Sequence, residues 1–175
     1  WEKLEKGEIT SAELKVERFR MLFEKANLNY NPEEFSKQYL KRLGEGAFLL
    51  DGAEEVCKYL YGKYRLGIVT NGMKEVQYSR VGKSSVGKYI DKIIISEEVG
   101  ISKPNAGIFE YALKELGTKD KKEAIMIGDS LSADIQGGIN FGIDTCWVNL
   151  KNDVPNDKIK PKYVVTKLEE ICNIL

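Results

Sequence analysis

Three short stretches place chemically capable side chains at or past the end of an apolar run. Ile125-Met126-Ile127 leads into Gly128-Asp129, and a second carboxylate, Asp134, follows five residues on. Two carboxylates at such a rim suit a hard cation such as Mg2+, which takes oxygen ligands and keeps several waters. The plainer use of the pair is helix capping. Ile68-Val69 leads into Thr70-Asn71-Gly72, a hydroxyl, an amide and a flexible residue that offer O–H and N–H groups to an anion. An ordinary strand-to-helix turn uses the same residue types. Ile101-Ser102-Lys103-Pro104 sets a cation beside a helix start that Pro104 and Asn105 announce, which suits a phosphate or carboxylate group. Most lysines, by contrast, are merely solvated. Taken together, the hydroxyl, the ammonium and the carboxylate pair equip one sheet edge to bind a phosphoryl group with its metal.

Composition narrows the remaining chemistry. The 175 residues contain no histidine, which removes Ser-His-Asp and Cys-His catalysis and any imidazole metal site. Acid–base work falls to carboxylates, Lys or Tyr. Cys57, Cys146 and Cys172 are odd in number and far apart, so neither a zinc knuckle nor a disulfide framework is expected; free, buried thiols in a reducing cytoplasm are. Lys plus Arg and Asp plus Glu both number 27, which argues against a partner bound through bulk positive charge, such as a nucleic-acid polymer. There is no signal peptide and no apolar run long enough for a membrane span, so no membrane partner is expected.

The elements that must hold these residues are readable from periodicity. Apolar runs at 66–69, 93–95, 124–127, 145–148 and 163–165 alternate with helical segments at 53–64, 74–81, 106–116, 133–141 and from 167. Buried strands alternating with helices predict an α/β fold, a Rossmann-like parallel sheet with helices on both faces and its ligand at the strands' carboxyl ends. Residues 1–46 read differently, as a helical hairpin. Thr10 and Glu13 fit a capping box, and Val16, Phe19, Leu22, Phe23 and Ala26 recur at helical spacing up to Asn27. Asn31-Pro32 starts a second helix, with Phe35, Tyr39 and Leu43 on its apolar stripe and Gly44 and Gly46 at its end. The stretch 151–161 is the most linker-like.

These residues resemble the haloacid dehalogenase-like hydrolase superfamily over positions 47–175. Its second motif is matched by Ile68-Val69-Thr70-Asn71-Gly72, its third by Ser102-Lys103-Pro104, and its fourth, G-D-x-x-x-x-D, by Gly128-Asp129 through Asp134. Asn105-Ala106 stands where Asp-Pro often follows Lys-Pro. Gln77-Tyr78-Ser79-Arg80 and Ile143-Asp144-Thr145-Cys146-Trp147 look closest to a bacterial branch of nucleoside 5′-monophosphate phosphatases. Residues 1–46 resemble the distal part of the family's small helical cap. The resemblance implies that Thr70, Asn71 and Gly72 bind phosphoryl oxygens, that Lys103 neutralises charge and that Asp129 ligates Mg2+. It also implies that Asp134 supports the metal or orients Lys103, and that the partner is a small phosphorylated metabolite.

One motif of the family has no match. Its nucleophile and acid–base are the aspartates of D-x-D at the end of the first strand. The aspartates here stand at 51, 91, 120, 129, 134, 144, 153 and 157, and no two are two apart. That strand lies centrally in the family fold, between the strands ending at Thr70 and Asp129. The expectation is therefore a core lacking its first strand, inactive alone, with a βα unit of about 30 or more residues preceding Trp1. Alternatives are a non-catalytic phosphate-binding relative and a haloacid dehalogenase, an activity that needs no metal. A flavodoxin-like or response-regulator-like binder shares the architecture but does not require Lys103 and Asp129 to meet.

Overall fold

In the computed structural model, which describes residues 2–5, 7–154 and 158–175, the apolar runs become five short strands. They are β1 (Gly67–Thr70), β2 (Lys92–Ile95), β3 (Ile125–Gly128), β4 (Asp144–Val148) and β5 (Tyr163–Val165). Every pairing is parallel, but the strands fall into two sheets: β1 with β2, and β3, β4 and β5 in that order. Among the described residues β1 and β3 each keep one edge without a strand partner. Their burial agrees. Ile125, Met126 and Ile127 are strongly apolar yet only half-buried, whereas Thr145 to Val148 on β4 are buried.

Helices cover both faces, as the alternation requires. On β3, Ile125 and Ile127 pack with Val56 and Leu60 of α4 (Ala53–Leu60) and with Ile171 of a 3-10 turn, Leu168–Asn173. Met126, on the opposite face by the two-residue period of a strand, packs with Ile108, Phe109 and Ala112 of α7 (Ala106–Leu116) and Phe141 of α8 (Gln136–Phe141). The same cluster takes in Val69 of β1 and Ile94 of β2. Helix α7 therefore bridges the two sheets and holds them in one body.

Between the sheets runs a cavity of about 1050 Å3, bordered by Gly67 to Thr70 on one side and Ala124 to Asp129 on the other. Val56 and Leu60 close one face and Ala112 and Leu113 the other. A five-residue strand, about 17 Å long in a layer about 10 Å thick and about 4.8 Å wide, fills about 800 Å3. The slot thus has room and apolar walls for one more strand, at the place where the family resemblance puts the first.

The N-terminal region forms the expected hairpin. Helix α1 (Glu2–Glu5), which periodicity did not reveal, precedes α2 (Ser11–Ala26) and α3 (Pro32–Glu45). Thr10 and Glu13 make both bonds of the capping box, and Asn27 ends α2 in the left-handed region at φ 52°. The Asn31 side chain accepts the Glu34 N–H at 2.8 Å. Phe19 meets Phe35 and Tyr39 edge-on at centroid distances of 5.0 and 5.1 Å, and Phe23 meets Phe35 at 5.1 Å. These aromatics bind the two helices to each other. Helix α3 lies along α5 (Lys74–Lys83), where the Ser79 hydroxyl donates to the Gly44 carbonyl at 2.7 Å.

Several boundaries differ from expectation. Gly44 lies inside α3, and Gly46 alone caps it. Helix α4 stops at Leu60 rather than 64, before Gly62 at φ 78°. The helix expected over 133–141 divides into a wide π turn, Leu131–Ile135, and α8. The C-terminal helix is 3-10 in form. A single turn after β2, α6 (Ser96–Val99), was not expected. Trp1 and residues 155–157 of the linker-like stretch lie outside the described residues. Among the described residues no helix is long and apolar enough to cross a membrane.

Candidate active site

Lys103 organises the site. It lies between α6 and α7, and only 10% of its side chain is exposed. Its Nζ donates to the Val69 carbonyl of β1 at 2.7 Å and to Asp134 Oδ1, beyond β3, at 2.6 Å. One ammonium thus ties the carboxyl ends of both sheets. Lysine has three N–H bonds; two are committed here, and the third remains for a ligand in the cavity.

Asn71 holds the Lys103 backbone from both sides. Its Oδ1 accepts the Lys103 N–H at 2.8 Å, and its Nδ2 donates to the Lys103 carbonyl at 2.9 Å. The Asn71 carboxamide thus fixes the lysine loop beside the Thr70 turn. Thr70 Oγ1 accepts the Gly72 N–H at 3.0 Å. That bond folds the turn and occupies the Gly72 donor, while the Thr70 O–H is left to donate. A Cβ at Gly72 would meet the Gln77 side chain, whose flexible end would have to swing aside.

The carboxylate pair divides its labour. Asp134 is buried, with Oδ1 taken by Lys103 and Oδ2 by the Ser130 N–H at 3.0 Å. The wide turn at Leu131–Ile135 carries Asp134 back over the end of β3. It passes so close that a Cβ on Gly128 would overlap its carboxylate. Gly128 is therefore required by close approach. Asp129 is exposed at the rim, and its carbonyl is held by the indole N–H of buried Trp147 on β4 at 3.1 Å.

Thr70, Lys103, Asp129 and Asp134 accordingly border one cavity, as the order of motifs anticipates. Sequence reasoning missed Trp147 and Ser130 as supports of the site. Trp147 stands 18 positions from Asp129, with no local pattern to connect them. The S-x-x-A turn at Ser130, whose hydroxyl accepts the Ala133 N–H at 3.1 Å, was a legible capping signal. The thiols stand apart from this chemistry. Cys146 is a free thiol in the core, pushed up to about 11 by burial and then by Glu170, which keeps it protonated and unreactive near neutrality.

The chain matches the family model of the haloacid dehalogenase-like hydrolases over residues 9–148. It is 35% identical to the pyrimidine 5′-nucleotidase YjjG of Escherichia coli (strain K12) over 175 residues, covering 100% of this chain and 77% of that protein. It is 32% identical to the pyrimidine 5′-nucleotidase PynA of Streptococcus pneumoniae, covering 100% of this chain and 74% of that protein. Among solved structures, the HAD-hydrolase YfnB of Bacillus subtilis bound to magnesium, for which interdomain movement is described, superposes with a TM-score of 0.91. That likeness has 34% identity and covers 100% of this chain and 77% of that one.

Proposed function

The chain belongs to the haloacid dehalogenase-like hydrolase family, and from that premise we propose that it is the greater part of a Mg2+-dependent phosphatase of nucleoside 5′-monophosphates. The observation that carries this reading is Lys103: a buried ammonium with one N–H still open, fixed between β1 and Asp134 at a cavity that Thr70 and Asp129 share. Related proteins named pyrimidine 5′-nucleotidases supply the substrate class.

The residues fit the metal. Asp129, Asp134 and Lys103 sum to one net negative charge, so a phosphate dianion arriving alone is repelled. A divalent cation cancels the dianion's charge. The donors are oxygens, as Mg2+ requires. Asp129, exposed at the rim, would hold the cation directly, and Asp134, each of whose oxygens accepts one hydrogen bond and keeps further acceptor capacity, would support its hydration shell. Among the described residues no three His, Cys, Asp or Glu side chains cluster, so two carboxylates are this chain's share. When bound, the cation supplies charge neutralisation at the phosphoryl group.

The chain's own residues do the rest. The Thr70 O–H and the third Lys103 N–H donate to phosphoryl oxygens, and their donation strengthens as charge builds on those oxygens. The nucleophile is an aspartate on a further strand, N-terminal to Trp1, that enters the slot between β1 and β3. There its carboxyl end would lie between Thr70 and Asp129, in line with the phosphorus. The hairpin of residues 1–46 acts as a cap over the 47–175 core, closing on the bound substrate and excluding water.

The test is phosphate release from a panel of nucleoside 5′-monophosphates and sugar phosphates. It uses protein that includes the preceding coding sequence, with and without Mg2+. Expected is Mg2+-dependent release, greatest for pyrimidine nucleotides, reduced at least about a hundredfold in Asp129→Ala. Unchanged turnover in that variant would refute the metal role of Asp129.

A further inference from the structure

Glu97, in the turn α6, gives its two oxygens to different parts of the molecule. Oε1 accepts from Lys15 Nζ on α2 at 2.6 Å. Oε2 accepts the backbone N–H of Lys74, the first residue of α5, at 2.7 Å. Helix α5 begins directly after Thr70-Asn71-Gly72-Met73. The residue at its cap position, Met73, makes no side-chain cap bond, so an N–H that a helix start leaves open depends on Glu97. The Lys15 and Glu97 side chains are 28% and 26% exposed, covered enough for the pair to escape full screening.

The surroundings show why this contact differs from its neighbours. Lys74 Nζ pairs with Glu98 at 2.9 Å, and the Tyr78 hydroxyl donates to Glu98 at 2.8 Å. Those bonds fasten α5 to α6 without involving the hairpin. At the hairpin's other end, Ser79 and Lys83 of α5 donate to the Gly44 carbonyl and Arg80 to that of Gly46. That end is pinned beside its exit into the core. The Lys15–Glu97 pair sits on the other helix of the hairpin and shares its carboxylate with the turn that leads out of β1.

We propose that Glu97 is a positioning residue that couples the hairpin to the turn at Thr70–Lys74, one oxygen holding Lys15 and the other the start of α5. The inference rests on the reading of that turn as the phosphate-binding turn. When the hairpin swings away, Glu97 loses its cation and holds the Lys74 N–H less firmly. By linkage, a ligand that orders the turn favours the docked hairpin. Partial burial acts to raise the Glu97 carboxyl, but the Lys15 ammonium and the Lys74 amide outweigh it and hold the group below its ordinary range. The carboxylate is thus charged, and able to bridge, at neutral pH.

Backbone hydrogen exchange over residues 71–76, read by mass spectrometry, tests this without turnover, so its result stands apart from that of the phosphatase reading. Lys15→Ala does not touch this segment, yet it should speed exchange there about two- to fivefold, the worth of one half-exposed ion pair. Glu97→Gln keeps a carbonyl for the Lys74 N–H and should match Lys15→Ala. Glu97→Ala removes both bonds and should speed exchange at least about tenfold. The exchanged pair, Lys15→Glu with Glu97→Lys, restores the bridge but offers no acceptor, and should stay as fast as Glu97→Ala. Wild-type exchange in Lys15→Ala, or equal rates in Glu97→Gln and Glu97→Ala, would overturn the coupling.

Discussion

Lys103 is structural in this fold, and the proposed reading gives it a chemical role as well, divided among its three N–H bonds. Two hold Val69 and Asp134, and the third is left for a ligand in the cavity that Lys103 borders. Lys103→Ala leaves the Asp134 carboxylate buried without its cation, so thermal or urea unfolding should show a loss of about 3–5 kcal/mol along with the loss of activity. Lys103→Met combined with Asp134→Asn removes the buried charge as a pair; it should recover most of that stability and none of the turnover. A double variant that regains activity would strip Lys103 of its chemical role. Gly128→Ala sets a methyl against the Asp134 carboxylate and should cost about 1–3 kcal/mol in the same measurement. At this scale the sequence was informative about which side chains meet at one cavity, because Thr70, Lys103, Asp129 and Asp134 each lie beyond an expected strand. It was uninformative about what holds them. Asn71 meets Lys103 across 32 positions, and the preference of its carboxamide for backbone over ligand exists only once both loops are in place.

Among the elements, strand positions were legible to within about a residue because short Ile- and Val-rich runs have few other uses. Helix ends were less so. The wide turn at Leu131–Ile135 is set by Asp134 reaching back to Lys103 and the Ser130 amide, a long-range demand that no local periodicity encodes. The gap between β1 and β3 was legible only through the absent D-x-D, and the structure gives it walls and a volume. Exposed strand edges exchange quickly, and pairing protects them. Amides of β3 in the 175-residue chain should therefore exchange faster than those of β4, which is paired on both edges. On addition of the strand that the slot accommodates, β1 and β3 should slow by at least about a hundredfold. Equal protection of β3 and β4 in the chain alone would mean that the open edge of β3 is already satisfied, and the slot would have no strand to receive.

The molecule as a whole joins three parts: two sheets bridged by α7 and Lys103, a hairpin fastened to α5, and a rim that carries Thr70, Lys103, Asp129 and Asp134. Each depends on the others, since the hairpin rests on the helix that leaves the Thr70 turn, and the rim exists only while the sheets stay aligned. The most direct measurement is diffraction from crystals of the protein grown with Mg2+ and inorganic phosphate. The account predicts phosphate oxygens within about 3 Å of Thr70 Oγ1 and Lys103 Nζ, and a metal about 2.1 Å from an Asp129 carboxylate oxygen. Phosphate bound on another face, or a metal that ignores Asp129, would contradict it.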